Sequence, residues 1–155
     1  MHSKIFVIGC DISESELWND VKCFNGGIDY IDEETKEWSK SSIEWLDGYI
    51  KNSKIKFIRQ GNVFRIDKES YLNALIKEKK EIIKELKRKL SVVEEPEKEL
   101  IAYRNAGYSL YTDPRFGFLF YSEDSWLIDF DELCEFENEN GEIEFEVTKT
   151  FDFHS

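Results

Sequence analysis

The sequence predicts an α+β fold. It reads as a single domain over residues 1–155, with N-terminal strand–helix units, a long central helix and a C-terminal antiparallel β-meander that closes in a hairpin. Three observations predict this. Ile5-Phe6-Val7-Ile8 is apolar without alternation, as in a strand buried on both faces. Leu72, Leu75, Ile76, Ile82, Ile83, Leu86, Leu90 and Val93 recur at helical spacing. The last third of the chain holds short strand-like runs between turn signals, the last of them Asn140-Gly141 between two alternating runs.

Each element follows from local signals. Lys4–Cys10 is the first strand. Ser13-Glu14-Ser15-Glu16 has capping-box spacing, with Ile12 and Leu17 placed as a hydrophobic staple. Leu17, Trp18, Val21 and Phe24 share a helical stripe that Gly26-Gly27 stops. Ile28–Asp32 is a short strand, and Asp32–Lys40 is polar. Ser41-Ser42-Ile43-Glu44 is a second capping box, opening a helix through Ile50. If that helix begins early, Trp38, Trp45 and Tyr49 line one side of it. Ile55–Arg59 and Val63–Ile66 form a hairpin around Gln60-Gly61-Asn62. Asp67 caps the long helix, Lys68 to Val93, with Ile66 and Tyr71 as its staple. Pro96 opens a shorter helix that runs to Gly107, and a weaker sub-boundary lies near 94–97. Tyr108–Tyr111, Arg115–Tyr121 and Trp126–Phe130 are strands, separated by Thr112-Asp113-Pro114 and Ser122–Ser125.

Charge narrows the function classes. The net charge is −12. Residues 1–50 carry −7, residues 51–92 carry +8 and residues 93–155 carry −13. The basic middle cannot neutralise both acidic ends. The remaining anionic surface repels nucleic acid and anionic membranes, and attracts basic partners. No run reaches the ~18 apolar residues of a membrane span. Cys10, Cys23 and Cys134 form no CxxC pair, so the expectation is reduced thiols in a cytoplasm.

The strongest candidate site is a glutamate ladder. A two-residue loop at Asn140-Gly141 sets Glu139 opposite Glu142, Glu137 opposite Glu144, and Glu135 opposite Glu146. All six then share one face, and Phe136, Phe145 and Ile143 share the other. Like charges directly opposite are unfavourable. At about 5 Å in water each pair costs roughly 0.8 kcal/mol. Such an array has a use if it docks a cationic surface, in crude imitation of a phosphate backbone. Against it stand two plainer readings. One is a solvated outer sheet face. The other is a salt-bridge zone with the basic middle of the chain.

The functional expectation is therefore a non-enzymatic acidic protein. It would stoichiometrically inhibit or mask a basic, nucleic-acid-binding partner protein, as immunity proteins or phage blockers of host nucleases do, without binding nucleic acid or membrane itself. Two other classes compete. Asp11 follows the first strand directly, and Asp129 and Asp131 lie two apart, so these three would serve a metal-dependent nuclease. The 68–93 helix would serve a scaffold or a homodimer. No cofactor motif is present. His2 and His154 are the only histidines, so no interior imidazole base is available. Gly26-Gly27 follows a helix and does not open one, which removes a phosphate-cradling loop. On the long helix, Glu78, Glu81 and Glu85 interleave with Lys77–Lys89, which favours a solvated face over a nucleic-acid contact.

Overall fold

In the computed structural model, residues 2–21, 30–111 and 118–154 are described. The described residues are mixed α and β, with seven strands in one sheet. It divides into two compact units, residues 1–71 with 117–155, and residues 72–116. No described helix is long and apolar enough to cross a membrane. The predicted stop at Gly26-Gly27, the turn Thr112-Asp113-Pro114, and Phe24 and Cys23 lie outside the described residues.

The first unit is a sheet with a helix on each face. Strand β1 (His2–Ile8) is buried on both faces, as its apolar run predicts; Ile5, Phe6, Val7 and Ile8 are all inaccessible to solvent or nearly so. Gly9 ends it at φ +70, where only glycine is unstrained. Helix α1 (Glu14–Val21) is held by the predicted capping box. The Ser13 N–H donates to the Glu16 carboxylate at 2.9 Å, and the Glu16 N–H donates to Ser13 Oγ at 3.3 Å. Leu17 and Val21 pack onto Ile5, Val7, Tyr121, Phe151 and Phe153.

After β2 (Tyr30–Glu33), helix α2 runs Lys36–Asn52, starting earlier than the Ser41 capping box predicts. Thr35 caps it, accepting from the Trp38 N–H at 3.5 Å. Ser41 and Ser42 stand inside the helix. Ser42 Oγ donates to Glu34 at 2.7 Å instead of capping. Ile43, Leu46 and Ile50 face the sheet. There Trp45 and Tyr49 set their rings edge-on to Phe118 at 5.1 and 5.3 Å. Phe6, Phe64, Phe120, Phe130 and Phe145 complete an aromatic layer under this helix.

Hairpin β3 (Phe57–Gln60) and β4 (Val63–Asp67) turns at Gly61, φ +62, as read from the sequence. Asp67 then caps α3 (Lys68–Leu90), accepting from the Ser70 N–H at 2.8 Å. That bond holds the Asp67 carboxyl below its ordinary value. A depressed folded pKa adds stability that is complete above about pH 4 and is lost as pH falls through the depressed value. Asp67→Asn keeps an acceptor but does not titrate. Its thermal stability is expected to fall less steeply than the wild type's below about pH 4. Identical acid slopes in the two proteins would contradict this role for the cap.

Helix α4 spans Pro96–Tyr111 in the second unit. Tyr108–Tyr111, expected as a strand, is therefore helical. The helix begins with Pro96 at its first position and carries through Gly107, a residue a helix tolerates at about 1 kcal/mol. Of the described side chains in this second unit, Ala106 is buried; Ile76, Ile83, Leu100, Ile101 and Tyr103 are open to solvent.

Strands β5 (Phe118–Ser122) and β6 (Trp126–Ile128) form the expected antiparallel pair. The last strand, β7 (Glu142–His154), does not continue a sequential meander. It enters the middle of the sheet, in the order β3-β4-β7-β1-β5-β6, with β2 also on β7. Strands β1 and β5 lie parallel. Central β7 is the consequence of its length. Its first half pairs with β4, and its second half with β1 and β2.

Candidate functional site

The glutamate ladder takes a different form from the one its spacing predicts. Residues Phe130–Phe136 form a 3-10 helix, not a strand, and bury Phe130 and Leu133. The Asp129 N–H donates to the Glu132 carboxylate at 2.8 Å, one half of a capping box. Glu135 is therefore on this helix, accepting from Ser125 Oγ at 3.2 Å. Glu137 bridges Ile143, not Glu144. The loop has three residues, Glu139 to Gly141. The Gly141 N–H donates to the Asn138 carbonyl at 3.0 Å, and only Gly141 of the Asn-Gly pair takes a positive φ, +74. That is a type I turn closed by a left-handed glycine, not the two-residue type I′ turn. Asn138 selects it, because its side-chain oxygen accepts from the Asn140 and Glu142 N–H groups, both at 3.0 Å. One residue of slip dissolves the facing glutamate pairs. Glu137 instead pairs with Lys68.

The second half of the ladder survives as one row. Glu142, Glu144 and Glu146 alternate with buried Ile143, Phe145 and Val147. On β4 beside them the partners are Asp67, Arg65 and Val63. Beyond those, Ile58 pairs with Arg65 and Gln60 with Val63. All these side chains stand on one face, and it is open; Ile58 is 62% exposed. Four carboxylates meet two cations here, Arg65 and Lys56, whose carbonyl accepts from the Asp67 N–H at 2.9 Å. Arg65 Nε lies 2.8 Å from Glu144, which also accepts from Asn138 Nδ2 at 3.1 Å.

A β-bulge creates this face. Val7 pairs with Lys149 but Ile8 pairs with Val147, so Thr148 is the extra residue. Thr148 Oγ1 is held against the Val7 and Cys10 carbonyls at 3.2 and 2.5 Å. Before the bulge, odd residues of β7 pack toward the aromatic layer; after it, Phe151 and Phe153 pack toward α1. One sheet face is thus apolar and covered by α1 at one end, and anionic and open at the other.

The open face adjoins a cleft of about 590 Å³ at the carboxyl ends of β1 and β5. Asp11, Glu16, Asp20 and Glu123 line it, with Cys10 and Tyr121. Gly9 lines both this cleft and a smaller hollow bounded by Glu144, Glu146, Val63 and Phe136. Lys149 partly balances the cleft. Its ammonium lies 2.8 Å from Asp11 and 3.8 Å from Glu33, and donates to the Ile12 carbonyl at 3.0 Å. The bond to Asp11 raises the lysine's pKa. Tyr121 donates to Asp20 at 2.5 Å; burial first, and then that carboxylate, push the phenol up. Ser13 holds Glu16 below the usual carboxylate range, so it stays charged. Burial pushes the Cys10 thiol up, away from nucleophile chemistry.

Gly9 joins the two surfaces through backbone shape. A Cβ there meets no atom within 4 Å, so the left-handed φ alone opposes a side chain. Gly9→Ala is expected to lower unfolding free energy by about 1–2 kcal/mol in a urea titration. A change within error would show that the turn relaxes freely.

Asp11, Asp129 and Asp131 do not assemble into a cation site. Asp11 is tied to Lys149, and Asp131 sits within the 3-10 helix. Among the described residues, no group of three or more His, Cys, Asp or Glu is placed to hold a metal ion. Sequence reasoning missed the cleft because Asp11 after β1, Glu16 and Asp20 on α1, and Glu123 after β5 come from three separate segments. It had the signal for the 3-10 turn in hand, since Asp129 and Glu132 have capping-box spacing. No protein-family model, curated protein or solved structure matches this chain.

Proposed function

We propose that the chain is a non-enzymatic binding protein that masks a basic, nucleic-acid-binding surface of a partner protein. The observation that carries this reading is the open half-sheet with Glu142, Glu144 and Glu146 in a row, continuous through Gly9 with the acidic cleft. Carboxylates on alternate residues recur at about 6.8 Å along a strand, a regular anionic array. The unit that bears them holds 25 acidic and 11 basic side chains, a net −14. A lysine- and arginine-lined groove is the complementary surface, and its association would be fast and sensitive to salt. The docking residues narrow to Glu142, Glu144 and Glu146 with Asp11, Glu16, Asp20 and Glu123. Glu135, Glu137 and Glu139 lie outside the row.

The test is capture on the immobilised chain followed by elution with duplex DNA. The masking role predicts that DNA releases the captured protein and that the freed protein binds that DNA. Capture that DNA leaves untouched would defeat the role, because the chain would then hold some other surface of its partner.

A further inference from the structure

We propose that the chain self-associates by seating helix α3 of one copy on the open sheet face of a second copy. Both faces carry exposed apolar and charged side chains, and their chemistry is complementary. Helix α3 carries eight basic and four acidic side chains, a net +4. Leu72, Ile76 and Ile83 are exposed on it, Ile76 by 51%. Leu72, Ile76, Lys80 and Lys84 follow one another at i, i+4, so apolar and cationic groups share one row. The sheet face offers exposed Ile58 and half-buried Val63 among Asp67, Glu142, Glu144 and Glu146, with Arg65 and Lys56 as its cations and a net −2.

The repeats also match. Lys80 and Lys84 are separated by about 6.0 Å of helix rise, and Glu144 and Glu146 by about 6.8 Å of strand. A helix laid on a bare sheet face is the ordinary way both bury apolar surface. Pairing α3 with α3, the simpler route to a dimer, sets +4 against +4 with lysines alongside the seam, which is unfavourable. This association shares a surface with the masking role but does not rest on it. It is read on the purified chain alone, so either can fail without the other.

The test uses two charge reversals of the full chain in sedimentation equilibrium. One is Glu144→Lys with Glu146→Lys, and the other is Lys80→Glu with Lys84→Glu. The wild type is expected to rise above the 18.4 kDa monomer mass as concentration increases. Each reversed variant alone is expected to weaken association by about 100-fold or more, and an equimolar mixture of the two to restore it. Restoration in the mixture, through the intact helix of one variant and the intact sheet face of the other, excludes global misfolding as the cause of the loss. Circular dichroism checks each variant, and Lys80→Gln with Lys84→Gln replaces a reversal that fails to fold. A wild type that stays monomeric up to about millimolar concentration would overturn the proposal, since −4 kcal/mol is the weakest contact worth the name. So would undiminished association of the sheet variant, which would mean that α3 meets α3, or a mixture that does not associate.

Discussion

Reversing Glu144 and Glu146 to lysine is expected to abolish the proposed partner capture while the fold stands. The open face carries Asp67, Glu142, Glu144 and Glu146 against Arg65 and Lys56, so the reversal takes it from −2 to +2. A charge pair at 4 Å near a protein surface interacts by about 4 kcal/mol, and every 1.4 kcal/mol is tenfold in affinity. Turning two attractions into repulsions therefore predicts a loss of at least about 1,000-fold in a titration against the captured protein. Stability changes little, because the Glu144–Arg65 pair is solvent-exposed and such pairs contribute about 0–1 kcal/mol. Arg65→Ala gives the opposite sign. It removes one of the two cations of that face and is expected to tighten capture. Full capture by the doubly reversed protein at an unchanged melting temperature would end the assignment of this face.

Phe120→Ala is expected to destabilise the protein by about 3–5 kcal/mol. Its ring is fully buried at the middle of the aromatic layer. Phe118, Phe6 and Phe145 lie 5.6 to 5.7 Å away, and Phe130 lies 6.4 Å away. Truncation removes these contacts and leaves a cavity that paired strands on either side cannot close. Domain stabilities are about 5–15 kcal/mol, so the variant stands near the folding threshold. Urea titration with two spectroscopic probes measures the loss. Trp38→Ala is the matched control. Trp38 is larger but 66% exposed, and its removal is expected to change stability by no more than about 0.5 kcal/mol. Equal losses at the two positions would mean that the aromatic layer is not the core.

Trp38 and Phe120 show where sequence reading reached its limit. Trp38 stands between Glu37 and Ser39, Phe120 between Leu119 and Tyr121. Helical spacing places Trp38 with Trp45 and Tyr49 on one side of α2, yet only the sheet beneath decides that Tyr49 goes in and Trp38 stays out. The same holds for the helix start. Thr35 and Ser41 are both acceptable caps in isolation. In the fold Thr35 accepts from the Trp38 N–H, while Ser42 is taken up by Glu34 from the preceding segment.

The acidic site was legible by half. That Glu142, Glu144 and Glu146 share a face follows from alternation alone. That Glu135, Glu137 and Glu139 leave it does not, because Phe130 and Leu133 gain more by coiling inward at i, i+3 than Glu135 and Glu137 gain by pairing with like charges.

What the sequence determined by itself was a set of features governed by neighbours in the chain. The buried first strand, the Ser13 and Asp67 caps, the Gly61 turn and the long helix each follow from propensity, hydrogen-bonding side chains or apolar period. Tertiary structure alone decided where β7 lies, that Thr148 bulges, and that Asp11, Glu16, Asp20 and Glu123 gather beside Glu144 and Glu146. Alternation states which residues of a strand share a face, but not which strand comes to lie beside it or where one extra residue reverses the two faces. Those choices depend on partners 100 or more residues away, such as Ile5 with Phe151, and are settled only when the whole sheet is assembled.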